Sequence, residues 1–323
     1  MSPLATPTEA SPSAPSPRPD PYQVVTDLII GHLENGVVPW RCPWNRDIGR
    51  PHNFVTGQPY RGVNVLLLGC HAAPSPWWLT FNQAKARGGH IRKGAKGALV
   101  VKYGTFTPKG KKESAATEAK TDPASSDARS REARFLRTFV VFNASQVEGI
   151  AFPETQESPH LPPEARIAIA ERIVATMPRR PTIHEGRGTR ALYRPATDEI
   201  EMPAFAAFQN AESYYQTLFH ECIHATGHIS RLNRETLTKH DEFGGPVYSQ
   251  EELVAEMGAA FVGMEAGIVN DNHEQSAAYL QSWLAVLKAK EHRRWIVQAA
   301  AQASRAADFI LNRLEPPATS AST

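Results

Sequence analysis

The chain of 323 residues is poor in cysteine and has no long apolar run. Its three cysteines, Cys42, Cys70 and Cys222, are scattered and lack the paired spacing that disulfide frameworks and zinc knuckles use. No apolar run approaches the ~20 residues that a membrane span requires, and the N-terminus lacks the basic and apolar regions of a signal peptide. These absences argue against a disulfide-stapled or membrane-spanning protein, and we expect a cytoplasmic protein with no membrane partner.

Negative charge is scarce in one part of the chain. Residues 22–112 carry 13 Lys and Arg against three Asp and Glu, which leaves 22 Lys and Arg against 30 Asp and Glu elsewhere. The formal net charge of +2 therefore conceals a basic N-terminal half joined to an acidic C-terminal half. A half of this kind indicates a polyanionic partner such as a nucleic acid.

Two segments lack any periodic apolar pattern. The N-terminal tail consists largely of Pro, Ser and Ala, and a second segment flanked by strand patterns is polar and charged, so we predict that both are disordered. A Pro-rich stretch then separates the two halves. The predicted parts are a disordered tail at 1–21, an N-terminal domain at 22–152 with a disordered insertion at 108–134, a linker at 153–163, a C-terminal domain at 164–314 and a disordered tail at 315–323.

The spacing of apolar residues predicts an α+β fold. Helical spacing runs from Tyr22 to Gly36, and the strand-like stretches ALVVKYGTF and FLRTFVVFNASQ follow in the same half. Beyond residue 164, helical patterns predominate, with short strands predicted at PTIHEG and RALYRP. We therefore expect an α+β N-terminal domain followed by a mainly helical domain.

The stretch LFHECIHATGH carries the strongest chemical signal. His220 and His224 are four residues apart on a predicted helix, so both imidazoles lie on one face and can reach one metal ion. In the zincin arrangement Glu221, between them, acts as a general base toward a water molecule. The alternative is a helix whose histidines are merely capped or solvated. Zn²⁺ is the expected ion, although the same ligands accept other divalent metals.

A catalytic zinc uses three protein ligands and an open fourth position, so a third ligand is needed. The stretch YSQEELVAEMGAAFVG places Glu252 and Glu256 on one face of a second predicted helix. One of them would complete the metal site, and the other would accept the second N–H of a ligating histidine. The order of these two acids along the helix resembles that of the ligand helix of gluzincin metallopeptidases, in which the metal ligand comes first. This resemblance implies Glu252 as the ligand and Glu256 as the partner of the histidine. The reverse assignment stays open.

Three nearby side chains have alternative interpretations. His228 is a candidate third ligand, but the metzincin motif places its third histidine ten positions after the first, and here the gap is eight. Tyr248 would stabilise a developing oxyanion, or would simply pack. Cys222 is expected to face the core. With these residues, the site predicts hydrolysis of an amide bond.

Aromatic and cationic side chains are interleaved between residues 40 and 103. Stacking of bases on exposed rings and neutralisation of phosphates are what binding of single-stranded DNA requires. The alternative is that the tryptophans form a core and the cations a solvated face. The residues predicted to bind single-stranded DNA are Trp40, Arg41, Trp44, Tyr60, Arg61, Trp78, Lys85, Arg92, Lys93, Lys96 and Lys102.

Taken together, several stretches resemble ArdC-type antirestriction proteins of conjugative plasmids, whose N-terminal domain also occurs in plasmid primases of the TraC type. They span nearly everything from residue 22 to 313. The stretches are LENGVVPWRCPWN, TGQPYRGVNVLLL, WLTFNQAKARGGHIRKGAKG, FVVFNASQVEG, LFHECIHATGHISRLNR, YSQEELVAEMGAAF and YLQSWLAVLK followed by ADFIL. The insertion, the Pro-rich tail and Cys222, which stands where the family usually has a large apolar residue, depart from the family pattern.

The resemblance implies a single-stranded-DNA-binding domain followed by a zincin-like metallopeptidase domain similar to SprT-type proteases. It also implies protection of incoming plasmid DNA from host restriction, with restriction enzymes or other DNA-bound proteins as partners. Two alternatives stay open. One is a non-catalytic protein that shields single strands and uses its metal structurally, and the other is a SprT-like protease that acts on DNA-bound proteins.

Overall fold

A computed structural model describes residues 19–41, 49–71, 73–106, 133–153, 161–238, 246–268, 277–289 and 292–314. Within these ranges no helix combines the length and apolar character needed to cross a membrane. The predicted tails and the predicted insertion lie almost entirely outside the described residues, as do Cys42 and Trp44. The last two positions of the insertion, 133 and 134, begin a strand.

The N-terminal half mixes helices with short strands. Helix α1 begins where Asp20 accepts a hydrogen bond from the backbone N–H of Tyr22 at 3.0 Å. The elements are α1 (Pro21–Glu34), β1 (His52–Asn53), α2 (Val63–Gly69), β2 (Trp77–Thr80), α3 (Phe81–Ala86), β3 (His90–Ile91), β4 (Ala98–Phe106), β5 (Ala133–Asn143), a 3-10 turn (Ala144–Gln146) and β6 (Val147–Glu148).

Four of these strands form a sheet in the order β1-β2-β5-β4. β4 and β5 pair antiparallel from Ala98 opposite Val141 to Phe106 opposite Ala133, so they are the two arms of the predicted hairpin. β4 is the outermost strand. The side chain of Asn64 on α2 exchanges hydrogen bonds with both backbone groups of Val101, at 2.7 and 2.8 Å, and so covers part of that edge.

The C-terminal half is mainly helical, as predicted. Its one sheet among the described residues has three strands in the order β7-β9-β8, with β7 and β8 at the edges. The elements are α4 (Pro163–Ala175), β7 (Thr182–Glu185), β8 (Leu192–Arg194), β9 (Glu199–Met202), a 3-10 turn (Phe205–Ala207), α5 (Ala211–Thr226), α6 (Glu235–Thr238), α7 (Pro246–Ala266), α8 (Ala277–Lys288) and α9 (Trp295–Ile310).

One hydrophobic core extends through both halves. Val25, Ile29 and Leu33 of α1 are buried in the same cluster as the apolar residues of α7, α8 and α9. A hydrogen bond from Thr26 Oγ1 to the carbonyl of Arg293, 2.8 Å long, joins the first helix to the segment before the last one. The fold is therefore α+β, as the sequence predicts, but the two halves pack together.

Candidate metal centre

Helix α5 carries the two histidines of the HExxH motif on one face. Its first turn is capped by Asn210, whose side chain accepts a hydrogen bond from the backbone N–H of Ser213 at 2.7 Å. The rings of His220 and His224 meet edge to face with centroids 4.8 Å apart. Their Nε2 atoms are 3.1 Å apart, so both imidazoles point to one position beside the helix.

Helix α7 adds a carboxylate to this position. Glu252 places Oε2 at 3.5 Å from His220 Nε2 and Oε1 at 3.4 Å from His224 Nε2. Tetrahedral zinc with bonds of ~2.0–2.1 Å separates neighbouring ligand atoms by ~3.3 Å. The separations of 3.1, 3.4 and 3.5 Å bracket that value. The donor set and its spacing therefore fit a divalent cation, and the structure brings together the three predicted ligands.

Two glycines of α7 permit its close approach to α5. A Cβ atom at Gly258 would lie 2.7 Å from the side chain of Ile223, and one at Gly263 would overlap the side chain of Gln216. Because neither position carries a side chain, the two helices pack at short range. This packing holds Glu252 against the histidines.

Glu251, one residue before the candidate ligand, supports His224 from behind. Its Oε1 lies 3.2 Å from His224 Nδ1, and its Oε2 accepts hydrogen bonds from Arg234 Nε at 3.1 Å and Thr236 Oγ1 at 2.5 Å. Burial would raise the pKa of Glu251, but the charge of Arg234 and the hydrogen bonds from His224 and Arg234 outweigh it and hold that pKa at about 2. The ionised carboxylate favours a proton on Nδ1 and leaves Nε2 of His224 for a cation.

Glu256 does not make the predicted contact with a histidine. Its carboxylate pairs instead with Arg41 of the N-terminal half, Nη2 to Oε1 at 3.1 Å. Four residues of helix, about 6 Å along the axis, separate Glu256 from Glu252 and take it away from the imidazoles. The prediction is therefore corrected, because Glu251 makes the contact with His224. Spacing on one helix face favoured Glu256, and the sequence carried no signal for the role of the neighbouring residue.

The acids around His224 change the charge at the ligand position. Burial lowers the pKa of His224, but hydrogen bonds with Glu251 and Glu252 outweigh it and raise the pKa to about 10. Burial likewise opposes ionisation of Glu252, yet its hydrogen bonds with both histidines hold its pKa well below the usual range. The raised pKa of His224 favours its imidazolium form, and a cation that binds at Nε2 must displace the proton from that nitrogen.

A cavity of about 400 Å³ opens onto the three ligand atoms. Glu221 lines it, is 7% exposed, and makes no hydrogen bond or ion pair with another described residue. Tyr248 lines it as well, and burial together with the charge of Glu252 and a hydrogen bond to it raises the pKa of Tyr248 to about 12. The cavity therefore contains a free carboxylate and a phenol that keeps its proton at neutral pH.

Strand β8 forms one wall of the cavity through Leu192, Tyr193 and the following Pro195. The hydroxyl of Tyr193 donates a hydrogen bond to Asp198 at 2.8 Å, and Asp198 pairs with Arg231 in the loop after α5. These contacts hold β8 beside helix α5, which carries the two histidines. Since β8 is an edge strand of its sheet, its outer edge can pair with an extended peptide.

His228 lies outside the ligand cluster. Its Nδ1 is 2.8 Å from the hydroxyl of Ser230, in the loop that follows the end of α5 at Thr226. Cys222 is fully buried, and burial first and then the charge of Glu221 raise the pKa of its thiol to about 12.

Two tryptophans predicted to stack on bases are buried in the structure. Trp40 is 1% exposed and packs edge to face against Trp283 with centroids 5.8 Å apart, and Trp78 is 3% exposed. A ring with no exposed face cannot stack on a base, so the prediction is corrected for both. Tyr60 is half-buried.

Three arginines of the basic half pair with acids of the C-terminal half. These arginines are therefore less available to an outside polyanion than the charge asymmetry of the sequence predicts, because acids of the same chain already pair with them. The pairs are Arg41 with Glu256, Arg50 with Glu265 at 3.6 Å, and Arg61 with Asp308.

The other predicted cations lie at the surface, and aromatic rings that the sequence did not single out accompany them. Lys102 is exposed and lies directly opposite exposed Arg137 in the register of β4 and β5. Two opposed cations repel each other, and a bound phosphate would remove that repulsion. The exposed cations are Lys85, Arg92, Lys93, Lys96, Lys102 and Arg137. The exposed rings are Phe81, Tyr103 and Phe139.

The chain matches two protein families in succession. Residues 19–142 match the N-terminal domain of the anti-restriction factor ArdC, and residues 168–302 match the zincin-like metallopeptidase family MPTase-PolyVal. The second match contains the histidines of α5 and the acids of α7.

Relatives and solved structures are similar to this chain over most of its length. A Sinorhizobium fredii protein designated y4eC is 34% identical over 310 residues, which cover 94% of each chain. The DNA primase TraC of Escherichia coli is 36% identical over 301 residues, which are 90% of this chain and 27% of TraC. The metal-free crystal structure of the antirestriction protein ArdC from plasmid R388 is 35% identical, with a TM-score of 0.69 and coverage of 91% and 97%. Its Mn(II)-bound structure is 36% identical, with a TM-score of 0.67 and coverage of 91% and 98%.

Proposed function

This chain belongs to the ArdC family of antirestriction proteins, and we propose that it protects plasmid DNA that enters a cell from host restriction. It would bind the incoming single strand in the cytoplasm and cleave a protein bound to that DNA at a metallopeptidase-type site. The observation that carries this proposal is the convergence of His220, His224 and Glu252 on one position of cation size.

A divalent cation is proposed at the three ligands. The related ArdC protein of plasmid R388 has a Mn(II)-bound structure, which supports use of a metal in this family. Two imidazoles and a carboxylate accept zinc and also other first-row divalent ions, with selection by availability. We take Zn²⁺ as the resident ion and Mn²⁺ as the alternative.

Residues around the cavity supply the remaining chemistry. The bound cation would act as a Lewis acid toward a peptide carbonyl. Glu221, buried and without a partner among the described residues, would take a proton from the attacking water and pass it to the leaving nitrogen. Tyr248 would donate a hydrogen bond to the developing oxyanion, because its raised pKa keeps the phenolic proton on the tyrosine at neutral pH.

An extended segment of protein is the proposed substrate. β8 is an edge strand and its residues line the same cavity as His220 and Glu221, so backbone pairing with β8 would place a peptide near these two side chains. Restriction enzymes and other proteins bound to the incoming DNA are the proposed targets, since binding of the strand by the same molecule would raise their local concentration.

Binding of single-stranded DNA is proposed for the exposed surface of the N-terminal half. Exposed cations on α3, on the loop before β4 and on the β4–β5 hairpin would neutralise phosphates, and Phe81 and Phe139 would offer rings for stacking. The similarity of this chain to the DNA primase TraC supports the proposal. Trp40 and Trp78 are not part of the proposal.

The decisive experiment compares wild type with Glu221→Gln for protection of a plasmid that enters a restricting host. Glutamine keeps the size of the side chain and removes the base, so hydrolysis should fall by about 10²–10⁴-fold and protection should be lost. Glu164→Gln is a matched control, because Glu164 is exposed in the first turn of α4 and contacts none of the groups discussed.

Metal content and single-strand affinity must equal those of wild type in both variants before protection is compared. Loss of protection only in Glu221→Gln would establish a working peptidase. Full protection by Glu221→Gln would contradict the peptidase function and would favour shielding of the strand by a protein whose metal supports the fold.

A further inference from the structure

A second cavity, of about 270 Å³, lies where the edge strand β4 meets α9. The N-terminal half contributes Arg61 and Tyr103, and α9 contributes Arg305 and Asp308. Its remaining walls are largely apolar and include Val63, Val101, Val297, Ala301 and Leu314. The groove therefore combines apolar walls with a few charged groups, as binding sites for small organic groups do.

The charges of this groove favour an anion. Arg305 is exposed and forms no ion pair with another described residue. Arg61 pairs with Asp308, but the arginine side chain is 59% exposed and the carboxylate only 7%. The acid thus lies at the floor while the guanidinium reaches the rim, where most of its five N–H donors remain available. Two cations against one anion leave a net positive groove.

An aromatic ring stands beside these cations. Tyr103 is 48% exposed, and burial followed by a hydrogen bond with Tyr22 raises its pKa to about 12, so the ring stays neutral. An exposed ring beside exposed guanidinium groups is the combination that binds a base and its phosphate. Lys102, the preceding residue on β4, projects to the opposite face and is also exposed. A strand that passes Lys102 would cross the sheet edge into the groove.

We propose that the groove binds one nucleotide of single-stranded DNA, with the base on Tyr103 and the phosphate at Arg61 and Arg305. The inference deepens the proposed single-strand binding and rests on it. It adds that the DNA site spans both halves of the chain. A base can enter such a groove only when it is unstacked, which favours single-stranded over double-stranded DNA.

The test measures binding of a fluorescent oligo-dT to the full chain by anisotropy across a series of salt concentrations. Arg305→Ala should weaken binding and reduce the slope of log K against log salt by ~0.7, the value for one phosphate contact on a single strand. Arg172→Ala is the matched control, because Arg172 is also an arginine near a helix end and its exposed side chain forms no hydrogen bond or ion pair with another described residue. It should leave both quantities unchanged.

The ring is tested by a pair of substitutions. Tyr103→Phe keeps a stacking surface and should bind within about twofold of wild type, whereas Tyr103→Leu should lose roughly 5- to 150-fold, the range for one stacked base. Equal affinity of the two Tyr103 variants for oligo-dT, together with an unchanged salt slope in Arg305→Ala, would overturn the proposal that the groove binds a nucleotide. The proposed binding of DNA to the rest of the N-terminal surface would be unaffected.

Two further outcomes separate the ideas. If wild type fails to bind oligo-dT at low salt, the proposed single-strand binding fails and the groove fails with it. If the variants lose binding of dTMP but keep full affinity for oligo-dT, the groove takes a free nucleotide, and the proposal of a DNA subsite is overturned. Weak competition by dTMP and weakened oligo-dT binding by the variants would support it.

Discussion

Replacing Glu251 with glutamine tests whether this carboxylate, rather than Glu256, supports the metal centre. Its two oxygens accept hydrogen bonds from His224, Arg234 and Thr236, all of them donors. Glutamine turns one acceptor into a donor and removes the charge that balances buried Arg234. We expect a loss of about 10–100-fold in metal affinity, the usual effect of removing the partner of a ligating histidine.

The same substitution should lower the free energy of unfolding. Breaking a buried ion pair on one side costs about 3–5 kcal/mol, and the glutamine carbonyl still accepts one bond, so we expect about 3 kcal/mol. The side chains of Glu251 and Arg234 are each 6% exposed, so solvent would offset little of this loss. Stability would be read from urea unfolding with a chelator present, and metal affinity from competition with a coloured chelator.

A double-mutant cycle makes the reasoning refutable. Arg234→Met removes the unpaired charge but also the hydrogen bonds that Arg234 donates to Ile223 O and Thr226 Oγ1, so Glu251→Gln combined with Arg234→Met should lose less stability than the sum of the two single variants and should not recover metal affinity. Glu256→Gln, which alters the pair with Arg41, should leave metal affinity nearly unchanged. If Glu251→Gln changed neither quantity, or if Glu256→Gln reduced metal affinity more, the assignment would be wrong.

Three further predictions follow from packing and charge. Gly258→Ala should push α7 away from Ile223 and lower the free energy of unfolding by about 1–3 kcal/mol. It should also reduce metal affinity, although no ligand is changed. Unchanged metal affinity in titration calorimetry would count against this prediction. Because the pKa of His224 is raised to about 10 in the protein alone, the histidine carries a proton at neutral pH, and metal binding must release it. Below that pKa, metal affinity should increase by up to about tenfold for each unit by which the pH is raised. Calorimetry in two buffers of different ionisation enthalpy should detect the released proton. Metal affinity that does not change between about pH 6 and pH 8 would refute this prediction. Trp40→Ala should lower the free energy of unfolding by about 3–5 kcal/mol, because the ring is buried. The salt dependence of DNA binding, measured under conditions where the variant is folded, should stay the same. A changed slope of log K against log salt would indicate that Trp40 contacts the DNA.

Sequence reasoning succeeded where the relevant contacts are local. His220 and His224 are neighbours on one helix face because of helical spacing alone, and a nearby acidic helix pointed to Glu252 as a partner. The structure brings these three side chains together. The alternation of helices and strands likewise predicted the α+β fold.

The remainder depends on contacts between distant segments. Nothing in the sequence shows that Arg234 will lie under Glu251, or that Arg41 will pair with Glu256 across more than two hundred residues. Composition also cannot distinguish a tryptophan that packs in a core, such as Trp40, from one that offers a ring to a base. Burial depends on the whole fold, and the DNA-binding residues predicted from the basic half therefore include both core residues and surface residues.

The packing of α1 against the last helices has a consequence for synthesis of the protein. Thr26 and Arg293 are 267 residues apart in the chain, yet they are hydrogen-bonded in the finished fold. A nascent chain cannot complete the burial of the apolar face of α1 until both α8 and α9 have left the ribosome, and contacts of such separation form slowly. Helix α7, which carries two of the acids at the metal centre, also packs on α9. A translation product that ends before α9 should therefore neither close its core nor hold a metal.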